Sequence, residues 1–189
     1  STTGSSTLKN SQPLVVTYAK GHIAVAHNGN LVNAFELRQQ LEANGSIFQT
    51  TVDSEIILHL LARATNKTLE EDLLECLRLL KGAYSLLFLT ETALIGARDP
   101  NGFRPLVIGR LNRSYVLASE TCALDLIGAK FVREVAPGEI VLITADGLKS
   151  LRPFKDEPVT PSHCLFEHVY FARPDSNVFG ESVQAVRIK

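Results

Sequence analysis

His22–Leu31 reads HIAVAHNGNL, and the continuation LVNAFELRQQLEANG over 31–45 decides the fold class. An apolar run closing on Asn-Gly is the strongest short-range announcement of a hairpin. Here no second alternating run comes back. Ala34, Leu37 and Leu41 recur at helical spacing instead, and Gly45 stands where a helix stops. A strand therefore leads into a helix, and the spacing places Asn28 and Gly29 at the strand-to-helix corner. The hairpin partner of HIAVAH lies upstream: PLVVTY (13–18), across a Lys20-Gly21 turn.

Outward from this stretch the period stays helical. A second helix is predicted from about Asp53 to Ala64, burying Ile57, Leu60, Leu61 and Ala64. A third opens on a capping box, Thr68 with Glu71, carries Leu73, Cys76, Leu77 and Leu80, and ends at Gly82. From there the period becomes two. AYSLLFLT (83–90), ALIGAR (93–98), RPLVIGRL (104–111) and SYVLAS (114–119) follow one another across turns and predict an antiparallel meander. A short helical piece, ETCALDLIG (120–128), precedes KFVREV, EIVLIT and GLKSLRPF. The last apolar run, HCLFEHVYFA (163–172), is predicted as the final strand before the polar exit RPDSN. Segregated helices and sequential strands mean α+β, an antiparallel sheet covered by helices.

The 189 residues suffice for one sizeable core, and 45% apolar with 21% charged residues is globular composition. A net charge of −1 offers no basic field for nucleic acid or a membrane surface, and no apolar run approaches the ~20 residues of a span. Three widely spaced cysteines, Cys76, Cys122 and Cys164, argue for free thiols in a reducing, cytoplasmic setting. Cys76 and Cys122 sit on apolar faces and read as small buried hydrophobes. The chain contains no methionine, starts STTGSS and stops at VQAVRIK without a cap, so both ends read as cut from a longer polypeptide. Phosphate-binding glycine loops, zinc spacings and a G-x-S-x-G elbow are all missing from the sequence.

Two places can carry chemistry, and each has two readings. Asn28-Gly29 is either a plain turn or a pair of donors, a side-chain amide and a glycine N–H, ready for a developing oxyanion. Asp53 is either the N-cap of the second helix or a carboxylate for a ligand ammonium.

The segments AVAHNGNLVNAFELRQQLEANGSIFQTTVDSEIILHLL, RDPNGFRPLVIG, ASETCALDLIGAKFVREVAPGEI and FEHVYFARPDS, in this order, resemble the glutaminase domain of the amidophosphoribosyltransferase family. HNG and DSE are shared with other class II glutamine amidotransferases, whereas RDPNGFRPL and CLFEHVYFARPDS are more specific. The resemblance implies an N-terminal-nucleophile hydrolase fold, an αββα sandwich of two antiparallel sheets between helical layers, here incomplete. It implies an oxyanion hole at Asn28 and Gly29, an α-ammonium site at Asp53 and a carboxylate contact at Thr2. The family's nucleophile, a cysteine at the mature N-terminus, and the arginine pairing with the glutamine carboxylate would precede Ser1. Residues 1–172 are then a partial glutaminase domain, expected to be inactive alone, and 173–189 begin the connection to a phosphoribosyltransferase domain. The implied partners are glutamine and phosphoribosyl diphosphate, in a homo-oligomer when full length. The implied cofactors are Mg2+ and, in some members, a 4Fe–4S cluster with Cys164 among its ligands. The alternatives are the glutaminase domain of another class II amidotransferase, or a non-catalytic homologue.

Overall fold

The computed structural model describes residues 4–154 and 160–189. The element sequence runs β1 (Leu14–Tyr18), β2 (Gly21–Leu31), α1 (Ala34–Ala43), α2 (Ser54–Arg63), α3 (Leu69–Leu79), β3 (Gly82–Thr90) and β4 (Leu94–Arg98). It continues with β5 (Val107–Leu111), β6 (Ser114–Ala118), α4 (Thr121–Leu126), β7 (Lys130–Glu134), β8 (Ile140–Thr144) and β9 (Gly147–Leu151). A π-helical segment (Glu167–Phe171), a small hairpin of β10 (Asn177–Val178) and β11 (Glu181–Ser182), and α5 (Val183–Ile188) close the chain.

Four layers stack. The first sheet has the order β1-β2-β3-β4-β8-β9 and the second β6-β5-β7, every pair antiparallel. Ile57, Leu61, Leu73 and Leu77 of α2 and α3 bury against Ile23, Val25, Leu86 and Phe88 of the first sheet. Between the sheets, Leu106, Ile108, Val135 and Val141 close a second core. On the outer face of the second sheet, Leu124 of α4 packs on Val107 and Ala129. Period-two segments bury one side in each core, and the amphipathic helices seal the outside. This is the predicted α+β sandwich. Among the described residues no helix is long and apolar enough to cross a membrane.

Four expectations change. The predicted meander splits: β4 pairs with β8, while β5 and β6 cross into the second sheet with β7. The Pro100–Pro105 stretch is long enough for that crossover, so sequential strands are not neighbours here. Within the run 163–172, residues 165–171 are helical rather than a strand. Among the described residues it joins no β ladder; Ala172 N–H returns to Glu167 O at 2.9 Å, and Glu167 and His168 are buried while Leu165, Phe166 and Tyr170 face out. Third, Asn28 and Gly29 are not at a corner. They lie inside β2, opposite Ser85 and Tyr84 of β3, and the chain turns only after Leu31. The α3 capping box is present in full, Thr68 Oγ1 accepting from Glu71 N–H and the Glu71 carboxylate from Thr68 N–H, but the helix ends at Leu79, before Gly82.

Candidate functional site

The site grows from a mismatch in strand length. β1 reaches β2 only as far as the Leu14–Val25 pair, so the rest of β2 has an open edge. Backbone N–H groups alternate across a strand, and those of His27, Gly29 and Leu31 point to that edge. His27 N–H donates to Gln12 Oε1 at 2.6 Å, and Leu31 N–H to Asp53 Oδ2 at 3.0 Å. Between them, Gly29 N–H meets no acceptor among the described residues. Sequence alone could not show this, because it depends on where β1 stops.

Gly29 is glycine for a steric reason. Its φ is +150°, and a Cβ there would stand 2.0 Å from the Ala83 carbonyl oxygen. Next to it, Asn28 faces a cavity of about 380 Å³ walled by Asn28, Gly29, Phe103, Arg104, Cys164 and Phe171. Asn28 Oδ1 accepts from Arg104 Nη2 at 2.7 Å. A guanidinium only donates, so the amide oxygen is turned to Arg104 and the NH2 is the end left for a guest. Asn28 and Gly29 both line this cavity, and a side-chain amide beside a glycine N–H supplies the donor types that stabilise a tetrahedral oxyanion.

Arg104 is held in turn. Its Nε lies 2.9 Å from Glu167 Oε1, and its guanidinium stacks over the Phe171 ring at 4.6 Å. Burial pushes the Glu167 carboxyl above its ordinary range, against the pull of Arg104. The loop carrying Arg104 is wired from inside. Arg98, 2% exposed, donates to the carbonyls of Gly102 (3.0 Å), Arg104 (2.8 Å) and Val135 (2.6 Å). The Asp99 carboxylate accepts from the N–H groups of Asn101, Phe103 and Tyr84. Burial raises the Asp99 carboxyl while those hydrogen bonds oppose the rise. The motif RDPNGFRPL is therefore a cage around one presented arginine. Sequence reasoning quoted the motif and missed Arg104; a second arginine six residues after the first in a proline-bounded loop was the available signal.

Asp53 does not line the cavity. It is 4% exposed, makes no side-chain cap bond to α2, and reaches the open edge of β2 instead, with His27 Nδ1 at 3.3 Å from Oδ1. The cap reading is thereby not the geometry seen. His27, buried beneath this edge, was also missed; its apolar neighbours Ala24 and Ala26 disguised it as core. Thr2 lies outside the described residues. Cys164, half-buried, stands on the cavity wall. Cys76 and Cys122 are buried elsewhere, their thiols pushed up by burial.

Known proteins carry the same pattern. A family model described as "Glutamine amidotransferase domain" matches residues 4–126. Amidophosphoribosyltransferase 2, chloroplastic, of Arabidopsis thaliana is 51% identical over 99% of this chain and 33% of its own length. Amidophosphoribosyltransferase of Bacillus subtilis is 49% identical over 98% of this chain and 39% of its own. A solved structure of glutamine phosphoribosylpyrophosphate amidotransferase from B. subtilis, complexed with ADP and GMP, superposes with a TM-score of 0.92 at 48% identity, covering 97% of this chain and 40% of that one. The chain spans between a third and two-fifths of the length of these relatives. The layered fold is that of their N-terminal-nucleophile hydrolase domain. With the match running through β2, its open edge and the three helices, this chain belongs to the glutamine amidotransferase domain family.

Proposed function

We propose that this chain is the glutamine-hydrolysing part of an amidophosphoribosyltransferase, which passes the released ammonia to phosphoribosyl diphosphate and gives phosphoribosylamine, the first step of purine synthesis. The observation that carries the reading is the pairing of Gly29 N–H, without an acceptor among the described residues, with an Asn28 amide whose oxygen is already engaged by Arg104. In the reaction, the thiolate of an N-terminal cysteine, contributed from outside this chain, attacks the glutamine amide carbon. The carbonyl oxygen takes the negative charge and is held by Gly29 N–H and the Asn28 NH2. Collapse breaks the C–N bond, the amine of the nucleophile supplies the proton, ammonia leaves, and water then hydrolyses the thioester to glutamate. Asp53 receives the glutamine α-ammonium, which its carboxylate on the same strand edge suits, and Thr2 contacts the carboxylate.

Cofactors follow the same reading. A 4Fe–4S cluster takes four thiolates, and the described residues bring one cysteine, Cys164, to this wall. Cys164 is proposed as a single ligand, the other three coming from beyond this chain. Mg2+ belongs with phosphoribosyl diphosphate in the phosphoribosyltransferase domain, and no residue here is assigned to it. The proposed setting is a cytoplasmic homo-oligomer, and the three free thiols support a reducing compartment.

The test is Asn28→Ala in the full-length protein. Glutamine hydrolysis should slow by about 10²–10³ while synthesis from added ammonia is retained. Equal loss of both would make Asn28 a structural residue and remove the oxyanion assignment.

A further inference from the structure

We propose that Arg104 is the positioning residue of the Asn28 donor, clamped from its far side by Glu167, an inference that rests on the oxyanion reading above. An asparagine amide has nearly the same shape either way round. With its oxygen toward the cavity it would repel an oxyanion; with its NH2 there it stabilises one. Something must choose, and the choice is made at the 2.7 Å contact between Asn28 Oδ1 and Arg104 Nη2.

For that contact to select one orientation, the guanidinium must itself be fixed, and it is held on three sides. Glu167 Oε1 lies 2.9 Å from Nε, an ion pair by distance that lacks hydrogen-bond alignment, with side-chain exposures of 16% for Arg104 and 4% for Glu167. The Arg104 Cζ sits over the Phe171 ring, 4.6 Å from the ring centre. The backbone of Arg104 is tied to buried Arg98 through its carbonyl. Glu167 also neutralises the arginine, so the contribution at the cavity is orientation more than a bare positive charge. Asn28, Arg104 and Glu167 come from β2, the β4–β5 loop and the π-helical segment, separated by 76 and 63 positions in the chain. The line they form connects Asn28 to the π-helical segment, on which α5 packs through Arg187.

The experiment is a double-mutant cycle in the full-length protein with Asn28→Ala, Arg104→Met and both together, following glutamine hydrolysis and ammonia-dependent synthesis. Arg104→Met should lower kcat for glutamine hydrolysis by about 10–100-fold, leave the glutamine KM within about threefold, and spare ammonia-dependent synthesis. Because it acts through Asn28, it should cost no more than about threefold in the Asn28→Ala background. Arg104→Lys keeps a charge for Glu167 but loses the planar fork that reaches Glu167 and Asn28 together, so it should recover little of the lost kcat. Losses that multiply in the double variant, a parallel fall in ammonia-dependent synthesis, or an Arg104→Lys with full wild-type kcat would overturn the positioning role. A slow Asn28→Ala beside a normal Arg104→Met would also sink this inference while leaving the oxyanion reading intact. A normal Asn28→Ala would overturn both.

Discussion

Asp53, at the start of α2, accepts the Leu31 backbone N–H at 3.0 Å and so ties the first residue of a helix approach to the last residue of β2. The residue that local sequence most readily explains as a helix cap spends its carboxylate on a strand edge. It thereby stands two residues from Gly29, whose N–H leaves the same edge.

Asp53→Asn separates shape from charge. Asparagine can still accept from Leu31 N–H, but it offers no charge to a substrate ammonium. In the full-length protein the glutamine KM should rise about 10–100-fold, the worth of a charge-assisted hydrogen bond, while the melting temperature falls by no more than ~2–4 °C. Steady-state kinetics and a thermal melt on one preparation decide. Lost stability with an unchanged KM would make Asp53 an anchor for β2 alone.

Gly29→Ala should fail differently from Asn28→Ala. The added Cβ meets the Ala83 carbonyl at 2.0 Å in a backbone with φ +150°. Both strands would have to part, at a cost of about 3 kcal/mol or more. Chemical denaturation should show that loss, whereas Asn28→Ala should unfold close to the wild type. A Gly29→Ala protein of wild-type stability would mean that β2 and β3 approach less closely than described.

Acid sensitivity has a local source at Glu139. The side chain is fully buried, which opposes its charge, but hydrogen bonds from Arg133, Ser150 and Ala136 N–H outweigh burial and hold its carboxyl below the ordinary range. Its contribution is therefore present above the unfolded value of about 4.3 and is lost as pH falls through the depressed folded value. Glu139→Gln should cost about 1.5–3 kcal/mol at pH 7, and urea titrations should show the gap from wild type shrinking toward pH 3. A gap that is constant with pH would assign the loss to packing.

Cys164→Ser bears on the iron–sulfur proposal. In the full-length protein, iron and sulfide content per chain should fall to background, since a cluster with one ligand removed is rarely retained. Undiminished iron would remove Cys164 as a ligand and leave it a wall residue of the cavity beside Asn28.

Much of this molecule is decided within short windows of sequence. The β1–β2 hairpin, three amphipathic helices and the Thr68–Glu71 capping box follow from periodicity and local hydrogen bonding, which need no distant partner. The α+β class follows from the switch of period after Leu80. Asn28, Gly29 and Asp53 stood out as candidates because an Asn-Gly without a returning strand is anomalous, and because the surrounding motifs resemble a known family.

What tertiary structure alone decided is which groups those segments leave open. That β1 ends opposite Val25, freeing Gly29 N–H, is a fact about strand length and register. That β4 pairs with β8 and sends the RDPNGFRPL loop across to Asn28 depends on contacts dozens of residues apart. The run 163–172 has the apolar content of a strand, yet no sheet edge receives it, so its backbone bonds to itself and delivers Glu167 to Arg104. Local propensity sets the elements; the donors and acceptors left over when distant elements meet set the site.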